Sequence, residues 1–233
     1  MADTDNEDHQ LLQMLSRYMS DELAEQLLGR REALESEESK NEPLKEITVL
    51  YIHAHNSDEV IAPLRPYIAV ELLNDYMEGI VSAIFEYKGT VDKYIGADIL
   101  AVFGAPLPLK DHAWMAVQAA LEINQRVQES QRTSTLAGQL SMNVSIGIHS
   151  GQVFIGGTTP PISAAIMDVI NKDAINQAVR LSKLGQTYNC SILITESTRF
   201  LLNDQLPTKE VGTVSLALKD NATKIYQLVS DRI

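Results

Sequence analysis

Gly89–Pro106 reads GTVDKYIGADILAVFGAP, and the rest of the chain is organised around it. Thr90, Val91, Tyr94 and Ile95 make one arm rich in β-favouring residues, and Ile99, Leu100, Val102 and Phe103 make the other. Gly96-Ala97-Asp98 lies between them as the expected turn, so the stretch predicts a β-hairpin with Lys93 and Asp98 near its tip. Upstream, Ile68–Tyr87 places Leu72, Leu73, Tyr76, Met77, Ile80, Ile84 and Phe85 on one side of a predicted helix. Before it, Glu46–Ile52 (EITVLYI) is expected as a buried strand. Downstream, Asp111 caps a predicted helix running to about Ser130. Met142–Ile148 and Gln152–Ile155 are expected to form a second hairpin around His149-Ser150-Gly151. A loop with Pro160-Pro161 leads to Ala165–Val169, and Asp173–Lys183 reads as a helix stopped at Gly185. Ser191–Thr195, Thr208–Val214 and Lys224–Val229 read as strands, and Ser197–Leu202 as a short helix. This order predicts an α+β domain, with an antiparallel-rich central sheet and helices packed on one face.

At 233 residues the chain has room for one domain and an extension. Residues 1–9 are polar and acidic and are expected to be disordered. Residues 10–29 carry Leu12, Leu15, Met19, Leu23 and Leu27 at helical spacing. Ser20 followed by Asp21 and Glu22 marks an N-cap, and Gly29 marks the stop. That stripe suits a helix packed on the domain or an input helix that dimerises. Residues 30–43 read as an acidic linker, and residues 44–233 as the domain proper. The net charge of −12 argues against a nucleic-acid partner. The lone Cys190 has no internal disulfide partner, which fits a reducing compartment. The absence of a bilayer-length apolar run or a leader predicts no membrane insertion and a cytoplasmic location.

Several segments, in order, resemble the class III nucleotidyl (adenylate/guanylate) cyclase catalytic domain of bacterial type. They are ITVLY (47–51), LLNDYMEGIVSAIFEYKGTVDKYIG (72–96), ILAVFGAP (99–106), VSIGIHSGQVFIGG (144–157) and DAINQAVRL (173–181). RYMSDELAEQLL (17–28) resembles the segment that precedes the catalytic domain in many bacterial cyclases. The resemblance covers roughly Arg17 to Leu228 and implies the ferredoxin-like cyclase fold. It also implies a dimer whose site forms between subunits. The family reaction cyclises ATP or GTP: the ribose 3′ oxygen attacks the α-phosphorus and pyrophosphate leaves. Two aspartates and two divalent ions, magnesium or manganese, support it.

By resemblance those aspartates belong at His53 and Ala97, and neither is a carboxylate here. Asp98, one residue late, is a weak metal candidate, because a one-residue step along a strand turns a side chain to the other face. His53 offers a nitrogen better suited to transition metals than to magnesium, and its bland reading is a polar strand end. Asp58 is expected to cap the segment after it. The rest of the family's site has counterparts. Lys93 matches the lysine that contacts the purine edge, and Asp168 its acidic partner, which favours adenine. Asn176 matches the ribose-positioning asparagine and Arg180 the arginine that stabilises phosphate charge; four residues apart, they share one helix face. Lys219 resembles the lysine that reaches the triphosphate. Asn171-Lys172 stands where the family has a single glycine, which sets Asp168 one residue farther from Asn176 than the pattern expects.

The resemblance leaves four functions open. The chain is a degenerate homodimer that binds ATP or another purine nucleotide, or half of a heterodimer whose partner supplies both aspartates. Otherwise it is an active homodimer with unusual metal ligation, or a dimerisation module without nucleotide. In the first two, this chain alone binds no catalytic magnesium or manganese.

Overall fold

The structure, a computed structural model, describes residues 2–30, 45–133, 142–153, 172–216 and 222–229. Its sheet is built around β1 (Lys45–Ala54), whose six consecutive buried residues, 47–52, leave neither face to solvent. β1 pairs antiparallel with β3 (Asp98–Phe103) on one side and along its whole length with β4 (Val144–Val153) on the other. β2 (Thr90–Ile95) closes the hairpin with β3 and forms one edge. Beyond β4 come β5 (Ile192–Thr195), β7 (Ala222–Leu228) and β6 (Thr208–Ser215), giving the order β2-β3-β1-β4-β5-β7-β6. Only β4 and β5 run parallel among these neighbours, so the sheet is mixed and mostly antiparallel, as the α+β expectation has it.

The hairpin turns at Gly96-Ala97, and Asp98 is already the first residue of β3. Gly96 has φ +63°, a conformation that costs glycine little and other residues more. A bulge between Val91 and Lys93 shifts the register of β2.

Helices cover both faces, which corrects the expectation of one. Leu50 and Ile52 of β1 face α4 (Pro66–Glu86) and α5 (His112–Thr133), where Ile80, Ile84, Val117 and Ile123 pack with Phe103. Ile47, Val49 and Tyr51 face the other way, against Ala174 and Ala178 of α6 (Lys172–Tyr188). A half-exposed strand would alternate apolar and polar residues; ITVLYI does not, and that is the signature of burial on both sides.

Three further expectations change. Within the described residues 142–153 the expected hairpin does not form: His149-Ser150-Gly151 lies inside β4, opposite Val49, Thr48 and Ile47. The unbroken β1 ladder satisfies the backbone there, so no turn is needed. Gly185 does not stop a helix, because α6 runs on to Tyr188. A Cβ at 185 would lie 2.5 Å from the Ser145 Cβ, so this glycine serves close packing. Residues 2–9, expected to be disordered, belong to α1 (Ala2–Leu15). No proline or glycine interrupts that segment, and its early acids suit a helix N-terminus. The loop with Pro160-Pro161 and the expected segment Ala165–Val169 lie outside the described residues.

α2 (Asp21–Leu28) begins where expected, with the Ser20 hydroxyl accepting from the Leu23 N–H and Gly29 at its C-cap. Leu15, Met19, Ala24 and Leu27 bury against Leu107 of the same chain. Each such large apolar side chain contributes about 1.5–3 kcal/mol. The Val91 N–H of edge strand β2 donates to the Tyr18 carbonyl at 2.7 Å, so the N-terminal segment also covers part of the sheet edge. A short helix, α3 (Ser57–Ile61), follows β1; Asp58 sits in its first turn, while Asn56 holds the N-cap position.

Candidate functional site

The C-terminal end of β1 and the start of β3 meet in a corner. Asp98 occupies it with a side chain only 16% exposed. Its carboxylate accepts from the Tyr51 hydroxyl at 2.9 Å and from the Ala54 N–H at 2.8 Å. His53 Nδ1 lies 2.9 Å from one carboxylate oxygen and 3.1 Å from the other. Tyr51 and His53 are two residues apart on a strand, so they share a face, and the turn brings Asp98 onto it. Burial and the hydrogen bond to Asp98 push the Tyr51 hydroxyl pKa well above its ordinary value. The His55 ring stands edge-on to His53, 4.7 Å between centroids. Burial and the neighbouring His53 lower its pKa.

Ala97 points elsewhere. It is buried with Ala54, Val60 and Met142, and Tyr76 packs against this group. The alternation expected from sequence therefore holds, with a consequence sequence reasoning missed: residue 98, not 97, faces His53. The signal for that was Tyr51, two residues before His53, a hydroxyl on the same strand face.

The corner offers one imidazole and one carboxylate whose oxygens already accept hydrogen bonds. This donor set does not fit two magnesium ions, which take hard oxygen ligands in octahedral shells. Among the described residues, no three His, Cys, Asp or Glu side chains gather as a metal site.

Of the remaining candidates, Lys93, Asn176 and Arg180 lie among the described residues. Lys93 sits on β2, opposite Leu100, its side chain 56% exposed. Its ammonium lies 3.5 Å from the buried carboxylate of Asp92. Asn176 and Arg180 are both exposed on α6, and Arg180 Nη1 donates to the Leu216 carbonyl at 3.1 Å. Among the described residues, no hydrogen bond or ion pair joins Asn176 or Arg180 to Lys93, His53 or Asp98. Asp168 and Lys219 lie outside the described residues.

A second polar group is buried toward the other end of β1. Thr48 Oγ1 contacts His112 Nδ1 at 2.8 Å and Ser150 Oγ at 2.7 Å, and Ser150 donates to Thr198. His149 Nδ1 lies 3.1 Å from Thr195 Oγ1. Burial lowers the His149 pKa to about 4, and burial also lowers that of His112. A folded-state pKa below the ordinary 6.5 means that the unfolded chain binds the proton more readily. The contribution is thus complete above pH 6.5 and is lost as the pH falls toward 4. His149 should cost about 2 kcal/mol of stability between pH 7 and pH 5. Urea unfolding at the two pH values checks this; in His149→Gln the difference should shrink by about that amount.

Residues 39–230 match a family described as the adenylate and guanylate cyclase catalytic domain. An adenylate cyclase of Anabaena cylindrica is 31% identical over 188 residues, 79% of this chain and 37% of that protein. Adenylate cyclase 1 of Rhizobium meliloti is 22% identical over 187 residues, 79% of this chain and 28% of that protein. The chain thus spans about a third of the length of these curated relatives. Among solved structures, the adenylyl cyclase CyaB from P. aeruginosa superposes with a TM-score of 0.63 at 22% identity, covering 82% of this chain and 96% of that one. No described helix is long and apolar enough to cross a membrane.

Proposed function

The chain belongs to the adenylate and guanylate cyclase catalytic domain family, and from that premise we propose that it is a degenerate member acting in cyclic-nucleotide signalling. In this reading it dimerises and binds a purine nucleotide, with ATP favoured. It forms little or no cyclic nucleotide by itself. One observation carries the reading: at the two family aspartate positions stand His53 and Ala97, and the nearby Asp98 is held by Tyr51, His53 and the Ala54 N–H.

The purine side of the site supplies the binding. Lys93, exposed on the edge strand, reads the base edge, with Asp168 as its acidic partner. Asn176 orients the ribose, and Arg180 with Lys219 meets the phosphates. A second reading follows from the exposure of Asn176 and Arg180 on α6. In it these two side chains complete the site of a cyclase subunit that brings its own aspartates.

Titration with a fluorescent ATP analogue tests the proposal. Saturable binding is expected, weakened at least about tenfold in Lys93→Ala, which corresponds to about 1.4 kcal/mol. No binding by the folded wild type would leave a dimerisation module and overturn the nucleotide reading.

A further inference from the structure

We propose that the corner between β1 and β3 has become an internal clasp, in which protein donors take up the carboxylate that a divalent cation would otherwise engage. The inference rests on the family reading above and concerns residue 98, which that reading does not place at the corner. Asp98 lies at the first position of β3, directly after the turn. Its two oxygens face three donors from one short piece of β1: a hydroxyl at 51, an imidazole nitrogen at 53 and a backbone N–H at 54. All are within 3.1 Å.

Such a carboxylate has little reason to bind a cation. Magnesium or manganese would have to displace the Tyr51 and Ala54 hydrogen bonds. It would gain a single carboxylate beside an imidazole, a poor partner for a hard ion. The clasp also has a mechanical consequence. It ties the hairpin tip, and with it the strand that carries Lys93, to the end of β1. Ala97 supports this from the other side, buried with Ala54 and Met142 where a carboxylate would need partners of its own.

The geometry also shows how near the corner is to a cation site. His53→Asp would set a second carboxylate against Asp98 and remove the imidazole donor. Ala97→Asp would not, because residue 97 faces the apolar cluster.

The probe is Mn2+ alone, without nucleotide, followed by the electron paramagnetic resonance of the free ion and by thermal unfolding. For the wild type, neither Mn2+ nor a chelator should move the midpoint. His53→Asp should bind Mn2+, its midpoint rising by about 5 °C at a hundredfold excess over Kd. Adding Asp98→Asn should abolish that rise, and Ala97→Asp alone should bind no Mn2+. Mn2+ binding by the wild type that disappears in Asp98→Asn would overturn the clasp. So would folded His53→Asp that binds no Mn2+, or binds it only when Ala97→Asp is added. If His53→Asp fails to fold, hydrogen exchange decides. Asp98→Asn should speed exchange of the Ala54 amide at least tenfold, and unchanged exchange would overturn the proposal. No arm contains nucleotide, so failure here is distinguishable from failure of ATP-analogue binding.

Discussion

Gly147→Val is expected to unfold at a much lower urea concentration than the wild type, having lost more than about 3 kcal/mol of stability. Gly147 lies in the middle of β4, where α6 crosses the sheet with its own backbone as the contact surface. A Cβ at 147 would stand 2.2 Å from the Ala178 carbonyl oxygen and 2.5 Å from the Ser182 nitrogen. Both are backbone atoms of a helix interior and cannot rotate away as a side-chain tip could. The helix must lift off β4, and Ala178 and Leu181, both fully buried, lose their packing with it. Overpacking in a core costs about 1–3 kcal/mol where side chains can adjust. Here they cannot, so a loss of more than about 3 kcal/mol is expected, a large share of the roughly 5–15 kcal/mol that holds a typical domain. Urea unfolding followed by circular dichroism measures this. Gly79→Ala is the control, since its Cβ meets nothing within 4 Å. It should leave stability unchanged or raise it by up to about 1 kcal/mol through helix propensity. A Gly147→Val midpoint equal to that of the wild type would refute the packing argument.

The second large effect is on turnover. The wild-type chain, incubated alone with ATP and either magnesium or manganese, is expected to form no measurable cyclic AMP. Metal-borne charge stabilisation supplies several kcal/mol in phosphoryl-transfer sites, and each ~1.4 kcal/mol is a factor of ten in rate. A corner without the aspartate pair should therefore fall about a thousandfold or more below an intact family member. Mixing the chain with an inactive cyclase subunit that keeps both aspartates, but lacks its own arginine on the α6 equivalent, should restore turnover. Arg180→Ala in this chain should then remove most of the restored rate. Robust cyclic AMP formation by the wild type alone would overturn the degenerate reading. Restored turnover that is insensitive to Arg180→Ala would show that this residue does not serve the phosphates.

Much of the architecture was legible because local chemistry and periodicity agreed. The hairpin at Gly96-Ala97, the Ser20 cap, the long amphipathic α4 and the strands near the C-terminus all carry short-range signals. Where short-range signals mislead, the cause is a partner distant in sequence. Ser150-Gly151 looks like a turn, yet β1 pairs with it and keeps it extended. Gly185 looks like a helix stop, yet Ser145 presses against it from the sheet and the helix continues. Helices on both faces could have been read from the run Val49–Ile52 in β1, four residues without apolar–polar alternation, whereas an alternating strand would have meant one covered face.

The candidate site divides in the same way. By the family resemblance, read from sequence alone, His53 and Ala97 fall where the aspartates belong, and Lys93, Asn176 and Arg180 fall in matching motifs. The order of these motifs along the chain determined the family, because a motif match depends on sequence order alone. Which way residue 98 points was decided by the tertiary structure. A two-residue turn sets the phase of β3, and β1 presents Tyr51, His53 and the Ala54 N–H to receive the Asp98 carboxylate. Direction at a turn depends on strand register, and register is fixed between strands, not within one.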